Sequence, residues 1–118
     1  MNGWSLRFYV HENRRYHGVP LYEWLLEQAN LRGIRGGSAF RAIAGFGRHG
    51  TIMEQGFFEL AGQSTVLVEF LVSAAETDEL LRIAGDTGEP LFHVRFPVEF
   101  GMLRDPRTDR PRSDDTSG

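Results

Sequence analysis

The sequence contains no cysteine and no lysine among its 118 residues. Without cysteine there can be no disulfide and no thiolate metal site, so nothing favours secretion and we expect a cytoplasmic protein. Without lysine, Schiff-base chemistry is excluded, and an anion would have to be bound by arginine side chains or backbone N–H groups.

Long hydrophobic runs and an excess of basic residues are also missing. No apolar stretch approaches the roughly 20 residues needed to span a bilayer, and no basic segment precedes an apolar one as in a signal peptide. The net charge is −3, whereas a sequence-independent nucleic-acid binder normally carries a clear basic excess. We therefore expect neither membrane insertion nor a nucleic-acid partner.

Hydrophobic periodicity predicts strands and helices in the order β-α-β-β-α-β. Apolar and polar residues alternate over 4–11, which predicts a strand, and the polar residues 12–19 predict a loop. Pro20 suits the first turn of a helix, and Gly33 is expected to end that helix. The remaining elements of this order are strands at 38–47, 65–72 and 91–100 and a helix at 74–84, followed by a turn at 85–88. A further short strand is predicted at 56–60, within the glycine-punctuated segment between the second and third strands.

Two local signals sharpen this prediction. Ser73 followed three residues later by Glu76 is typical of a capping box at a helix N-terminus. Pro97 places the last strand at a sheet edge or terminus, because proline cannot donate a hydrogen bond to a neighbouring strand.

This order predicts an α+β, ferredoxin-like fold with a four-stranded antiparallel sheet and two helices on one face. The strand at 65–72 is apolar on both sides, which predicts a central strand and a second sheet face that needs a partner. Glu69 in that strand needs a counter-charge, and we expect an arginine of a neighbouring subunit. Residues 1–103 are expected to form this domain and 104–118, rich in arginine and aspartate, a disordered tail.

Several motifs occur together in the order found in PII signalling proteins. GFGRHG at 45–50 resembles the start of their T-loop, STVLVEFLVS at 64–73 their third strand, and GDTGEPLFHVRFPVE at 85–99 their B-loop and final strand. Tyr-x-Gly-x-Pro-Leu at 16–21 and Arg-x-Ile-x-Gly-Phe-Gly at 41–47 are similar to the PII-like branch of bacterial proteins within the nitrogen regulatory PII superfamily.

The resemblance implies a homotrimer that binds a nucleotide between subunits and regulates a partner, such as a membrane transporter or an enzyme, through a T-loop at 48–62. It implies no metal and no certain cofactor; an adenine nucleotide or a small anionic metabolite is the expected ligand. Arg41 fits an intersubunit ion pair as well as a phosphate contact. Classical PII proteins carry a glutamine and a lysine directly after the T-loop arginine and a lysine in the B-loop. Here only His49 stands between Arg48 and Gly50, and the chain has no lysine. The implied ligand-binding residues are Arg41, Gly45, Gly47, Arg48, His49, Gly85, Asp86, Thr87 and Gly88.

Other functions share this architecture. A trimeric metal-binding or metal-tolerance protein and a small enzyme remain alternatives, and an RNA-binding module has the same element order. The histidines at 11, 17, 49 and 93 show no metal-ligand spacing, and there is no cysteine nucleophile or G-x-S-x-G elbow. We therefore expect no catalytic residues and a regulator rather than an enzyme.

Overall fold

The computed structural model of the chain describes residues 1–45 and 65–104. Its main sheet has four strands in the order β4-β5-β1-β6, each antiparallel to its neighbours, so the predicted ferredoxin-like α+β fold is confirmed. The elements are β1 (Asn2–His11), β2 (Arg15–Tyr16), β3 (Val19–Pro20), α1 (Leu21–Leu31), β4 (Gly37–Arg41), β5 (Thr65–Val72), α2 (Ala74–Asp86) and β6 (Phe92–Glu99).

The two central strands, β1 and β5, show why this sequence forms a sheet. They pair from Trp4 opposite Val72 to His11 opposite Thr65. Alternate side chains of each strand point to the same face. On the face towards the helices the alternating residues are buried: Leu6, Phe8, Val10, Val66, Val68, Phe70 and Val72.

Both helices cover this same face. Leu21, Leu25 and Ala29 of α1 are buried with the strand residues in one core, and Leu80 and Ala84 of α2 join them. The three- and four-residue spacing of these side chains gives each helix one apolar stripe. None of the helices in the described part of the chain is both long and apolar enough to cross a bilayer.

The predicted N-terminus of α2 is confirmed in detail. The Ser73 hydroxyl accepts a hydrogen bond from the Glu76 N–H at 3.1 Å, and the Glu76 carboxylate accepts one from the Ser73 N–H at 2.9 Å. Because two otherwise unpaired N–H groups are satisfied, the helix begins where the sequence predicted.

The predicted loop at 12–19 was wrong in part, since it contains the β2–β3 hairpin. His17 and Gly18 form its two-residue turn with φ of +52° and +85°. Positive φ at both positions matches the right-handed twist of the flanking strands. Arg15 Nη2 also donates to the Gly18 carbonyl at 2.6 Å. The polar composition concealed this hairpin because it carries no alternating apolar pattern.

Two predicted boundaries also differ from the structure. The second strand ends at Arg41, whereas the prediction continued it to Gly47. Helix α2 continues through Gly85 and Asp86, which were predicted to lie in a turn. A glycine inside a helix costs only about 1 kcal/mol. The predicted strand at 56–60 and the predicted tail at 104–118, apart from Arg104, lie outside the described residues.

The sheet face opposite the helices carries large apolar side chains that the described residues leave exposed. We call this surface the open face; the pairing register places Tyr9, Phe40, Leu71 and Phe92 on it. Their exposed fractions are 36%, 52%, 45% and 42%. The prediction of a second apolar face is confirmed, and within the described chain nothing buries it.

Candidate functional site

The predicted ligand-binding residues fall in two regions, one after β4 and one at the end of α2. Of the first region the structure describes Arg41 and Gly45, while Gly47, Arg48, His49 and the predicted T-loop at 48–62 lie outside the described residues. All the residues predicted in the second region, Gly85 to Gly88, are described. Gly45 has open space around its Cα, so no neighbour among the described residues requires a glycine there.

Arg41 is the last residue of β4, and its guanidinium is held by Glu12 of the same chain. Arg41 Nε donates to Glu12 Oε1 at 3.1 Å, and Nη2 donates to Oε2. The hydrogen bond and the charge of Glu12 raise the pKa of Arg41 above its usual value. The two bonds occupy one edge of the guanidinium and leave other N–H groups available to an anion.

The raised pKa has a simple consequence for pH dependence. A raised folded-state pKa means that this contribution to stability is present below the unfolded pKa and is lost only as the pH rises through the folded value. Both values lie far above neutrality for arginine. Arg41 therefore stays charged at every physiological pH.

The Gly85–Gly88 segment forms the C-terminal end of α2. Thr87 is the C-cap, and Gly88 has φ of +76°, a left-handed conformation that suits glycine. Asp86 lies 3.5 Å from Arg82 in an exposed ion pair one helical turn away. A phosphate bound near Asp86 would be repelled by its carboxylate unless a positive charge offsets it, and Arg82 is the arginine that lies beside Asp86.

The donors of this segment are already used within the chain. The Thr87 N–H donates to the Ala84 carbonyl at 3.2 Å, and the Gly88 N–H donates to the Gly85 carbonyl at 3.1 Å. The Thr87 hydroxyl donates to the Ala84 carbonyl at 2.7 Å and accepts from the Glu89 N–H at 3.0 Å. An anion bound at this segment would therefore have to replace these hydrogen bonds.

A short turn that the sequence did not single out, residues 12–14, contacts Arg41 of the first region and Glu89, the residue directly after the second. Glu12 binds Arg41, as described above, and Arg14 Nη1 donates to Glu89 Oε1 at 2.6 Å. We call this segment the Glu12–Arg14 turn. In the sequence this segment shows only opposite charges within a polar loop. Such a pattern does not indicate which residues these charged side chains will pair with.

The sheet centre holds a polar network on the open face. Arg7 Nε donates to Glu69 Oε2 at 2.9 Å, the Ser5 hydroxyl donates to the same oxygen at 3.1 Å, and the Arg7 guanidinium lies 5.0 Å from the centre of the Phe96 ring. Glu69 was expected to pair with an arginine of a neighbouring subunit. That expectation was wrong, because the cross-strand pair Arg7 and Glu69 meets within one chain.

A cleft of about 650 Å³ lies between α1 and the start of β4. Leu26, Ile34 and Phe70 contribute apolar surface, and Glu23 and Arg35 line it with charge. None of the predicted ligand-binding residues that the structure describes, Arg41, Gly45 and Gly85 to Gly88, lines this cleft. Within residues 1–45 and 65–104, no group of three or more histidine, aspartate or glutamate side chains is arranged to hold a metal ion.

Comparison with known proteins gives three findings. Residues 3–90 match the family DUF190, described as "Uncharacterized ACR, COG1993". The chain is 39% identical over 66 residues to a UPF0166 protein of Aquifex aeolicus (strain VF5). This match covers 56% of this chain and 63% of the relative, so the matched region spans less than two thirds of the relative's length. A crystal structure of a protein from Thermus thermophilus, proposed to be a PII-like signalling protein, superposes with a TM-score of 0.56 at 14% identity and covers 83% of this chain and 88% of that one. At that identity the likeness establishes the fold alone.

Proposed function

Because the chain belongs to the DUF190 family and has a PII-like fold, we propose that it is a homotrimeric signal-transduction protein rather than an enzyme. In this proposal it binds a nucleotide or small anionic metabolite between subunits. It then regulates a partner protein through residues 48–62.

The observation that carries the proposal is the open face. Large apolar side chains lie on the sheet surface opposite the helices, with Phe40 and Leu71 about half exposed in the single chain. Several large apolar side chains exposed on one surface of a soluble domain are typical of an interaction site. Three copies packed through this face would bury the patch and create clefts between subunits. The Arg7–Glu69 pair would then be buried with its charges already compensated.

The ligand class follows from the donors available. The chain lacks lysine, so its permanently positive side chains are all arginines. A guanidinium can bind phosphate or carboxylate bidentately. Arg41 lies where β4 leads into the glycine-rich segment at 45–50, and Arg48 lies within that segment. Gly85 to Gly88 would contribute N–H groups after releasing their bonds within the chain. These features support an anionic ligand, and the resemblance to PII proteins makes an adenine nucleotide the first candidate.

Regulation requires two states of the segment at 48–62 that bind the ligand with different affinity. The ligand would favour one of these states, and that state would bind or release a partner such as a membrane transporter or an enzyme. A ligand with equal affinity for both states would change nothing.

Two measurements test this function. Sedimentation of the full chain at micromolar concentration should give the mass of a trimer. Calorimetric titration with adenine nucleotides, cyclic nucleotides and 2-oxoglutarate should give binding heat for at least one of them. A stable monomer would remove the intersubunit site, and a trimer that gives no heat and no thermal shift with any of these compounds would remove the sensor function.

Replacing Arg48 with alanine then tests the ligand contact. If Arg48 binds a phosphate, Arg48→Ala should weaken the affinity by at least about 1 kcal/mol, roughly fivefold. Arg32→Ala is the matched control, since Arg32 is bound to Gln28 and Glu79 at the helices. Equal affinity for the Arg48→Ala variant and the wild type would exclude this contact.

A further inference from the structure

We infer that the Glu12–Arg14 turn fixes the two candidate ligand-binding regions relative to each other, with Glu12 and Arg14 as positioning residues. This inference rests on the proposed function, because the two regions are the ones proposed to bind the ligand. It assigns a role to two residues that neither the motifs nor the comparisons single out.

The first support is the direction of the two ion pairs. Glu12 binds Arg41 at the end of β4, and Arg14 binds Glu89, the residue after Gly88. Two side chains separated by one residue therefore reach Arg41 of the first candidate region and the residue directly after the second. In the sequence the two regions are about 40 residues apart, at 41–45 and 85–88.

The second support is that the turn itself is fixed to the core. The Arg14 N–H donates to the His11 carbonyl at 3.1 Å, and the Arg14 carbonyl accepts from the Leu21 N–H at 2.7 Å. His11 ends the central strand β1, and Leu21 is buried at the start of α1. A displacement at one end of the turn is therefore passed on to the other end and is not absorbed by a loose loop.

The third support is the bonding at Glu89. Its N–H donates to the Thr87 hydroxyl at 3.0 Å, and its carboxylate binds Arg14 at 2.6 Å. The side chain of Glu89 thus connects the turn to the hydrogen bonds that an anion would have to replace. Moving Glu89 changes the availability of those donors.

Hydrogen exchange of the full chain without any nucleotide tests this coupling. Peptides covering 37–42 and 85–91 report the two regions. Arg14→Gln removes the bond to Glu89, and we expect exchange to rise about two- to fivefold at 37–42 as well as at 85–91, the range for loss of one partly exposed ion pair. Glu12→Gln should raise exchange at 85–91 by a similar factor, although the ion pair that it removes is with Arg41 in the other region.

Two controls separate positioning from general loosening. Arg32→Gln removes an ion pair of the same kind between α1 and α2 and should leave both peptides unchanged. The charge swap that combines Arg14→Glu with Glu89→Arg should restore the exchange rate at 37–42. If each variant affects only the segment of its own partner, or the swap restores nothing, the coupling is wrong. The exchange experiment contains no nucleotide, so its result does not depend on nucleotide binding. If the chain proved to bind no nucleotide, the proposed ligand site would be wrong but the coupling measured here would still hold.

Discussion

Gly37, the first residue of β4, lies against the core side chain Phe70. A Cβ added at Gly37 would lie 2.6 Å from one ring carbon of Phe70 and 3.0 Å from a methyl carbon of Leu26. Phe70 is fully buried, so its ring cannot turn away into solvent. The glycine is required by this close approach and not by its backbone conformation.

We predict that Gly37→Ala destabilises the fold by about 1–3 kcal/mol, because a methyl group must be forced into a packed core. Urea unfolding of the variant and the wild type measures the difference. Gly36→Ala is the control: its Cβ meets no atom within 4 Å, and we expect a change within about 0.5 kcal/mol. Equal stability of the two variants would show that Phe70 accommodates the methyl group.

At the scale of elements, helix α2 carries both a structural cap and a candidate ligand segment. Its N-terminus is closed by the capping box of Ser73 and Glu76, and its C-terminus by the bonds of Thr87. The described state of the second candidate region is thus a complete helix end, not an open loop. Ligand binding there has to compete with helix capping.

The cap gives a second prediction. Ser73→Ala should destabilise the protein by about 1 kcal/mol, since the Glu76 N–H loses its acceptor. Thermal unfolding followed by circular dichroism measures this loss. Ser73→Asp keeps an acceptor at the same place and should retain most of the stability, whereas a loss as large as that of Ser73→Ala would argue against the cap as the cause.

At the scale of the whole molecule, the two faces of the sheet have different environments. One face is buried under both helices, and the other presents Tyr9, Phe40, Leu71 and Phe92 to solvent in the single chain. The polar network of Ser5, Arg7 and Glu69 lies between these apolar side chains and is satisfied internally. Association through this face would therefore leave no unpaired charge at its centre.

We predict that Leu71→Arg prevents assembly without unfolding the subunit. An arginine at this position would be buried without a partner in the trimer but hydrated in the monomer, and the cost of burying a charge is several kcal/mol. Sedimentation at micromolar concentration should then show a monomer with unchanged circular dichroism. Leu31→Arg, on an exposed leucine of α1, should sediment like the wild type. A trimeric Leu71→Arg variant would place the interface elsewhere.

The sequence alone determined the order of the main elements and the faces they bury. Alternation over 4–11 and three- to four-residue spacing in both helices follow from the geometry of strands and helices, which is local. The capping box was equally readable, because Ser73 and Glu76 are three residues apart. Glycine and proline marked the end of α1 and the edge position of β6 for the same local reason.

Only the tertiary structure decided which charges meet. Arg7 pairs with Glu69 across strands, Arg41 with Glu12, and Arg14 with Glu89, each over long stretches of chain. An ion pair depends on where the fold brings two side chains together, and many pairings fit the same composition. The same holds for the donors at Thr87 and Gly88, whose bonds depend on how far α2 continues before it is capped.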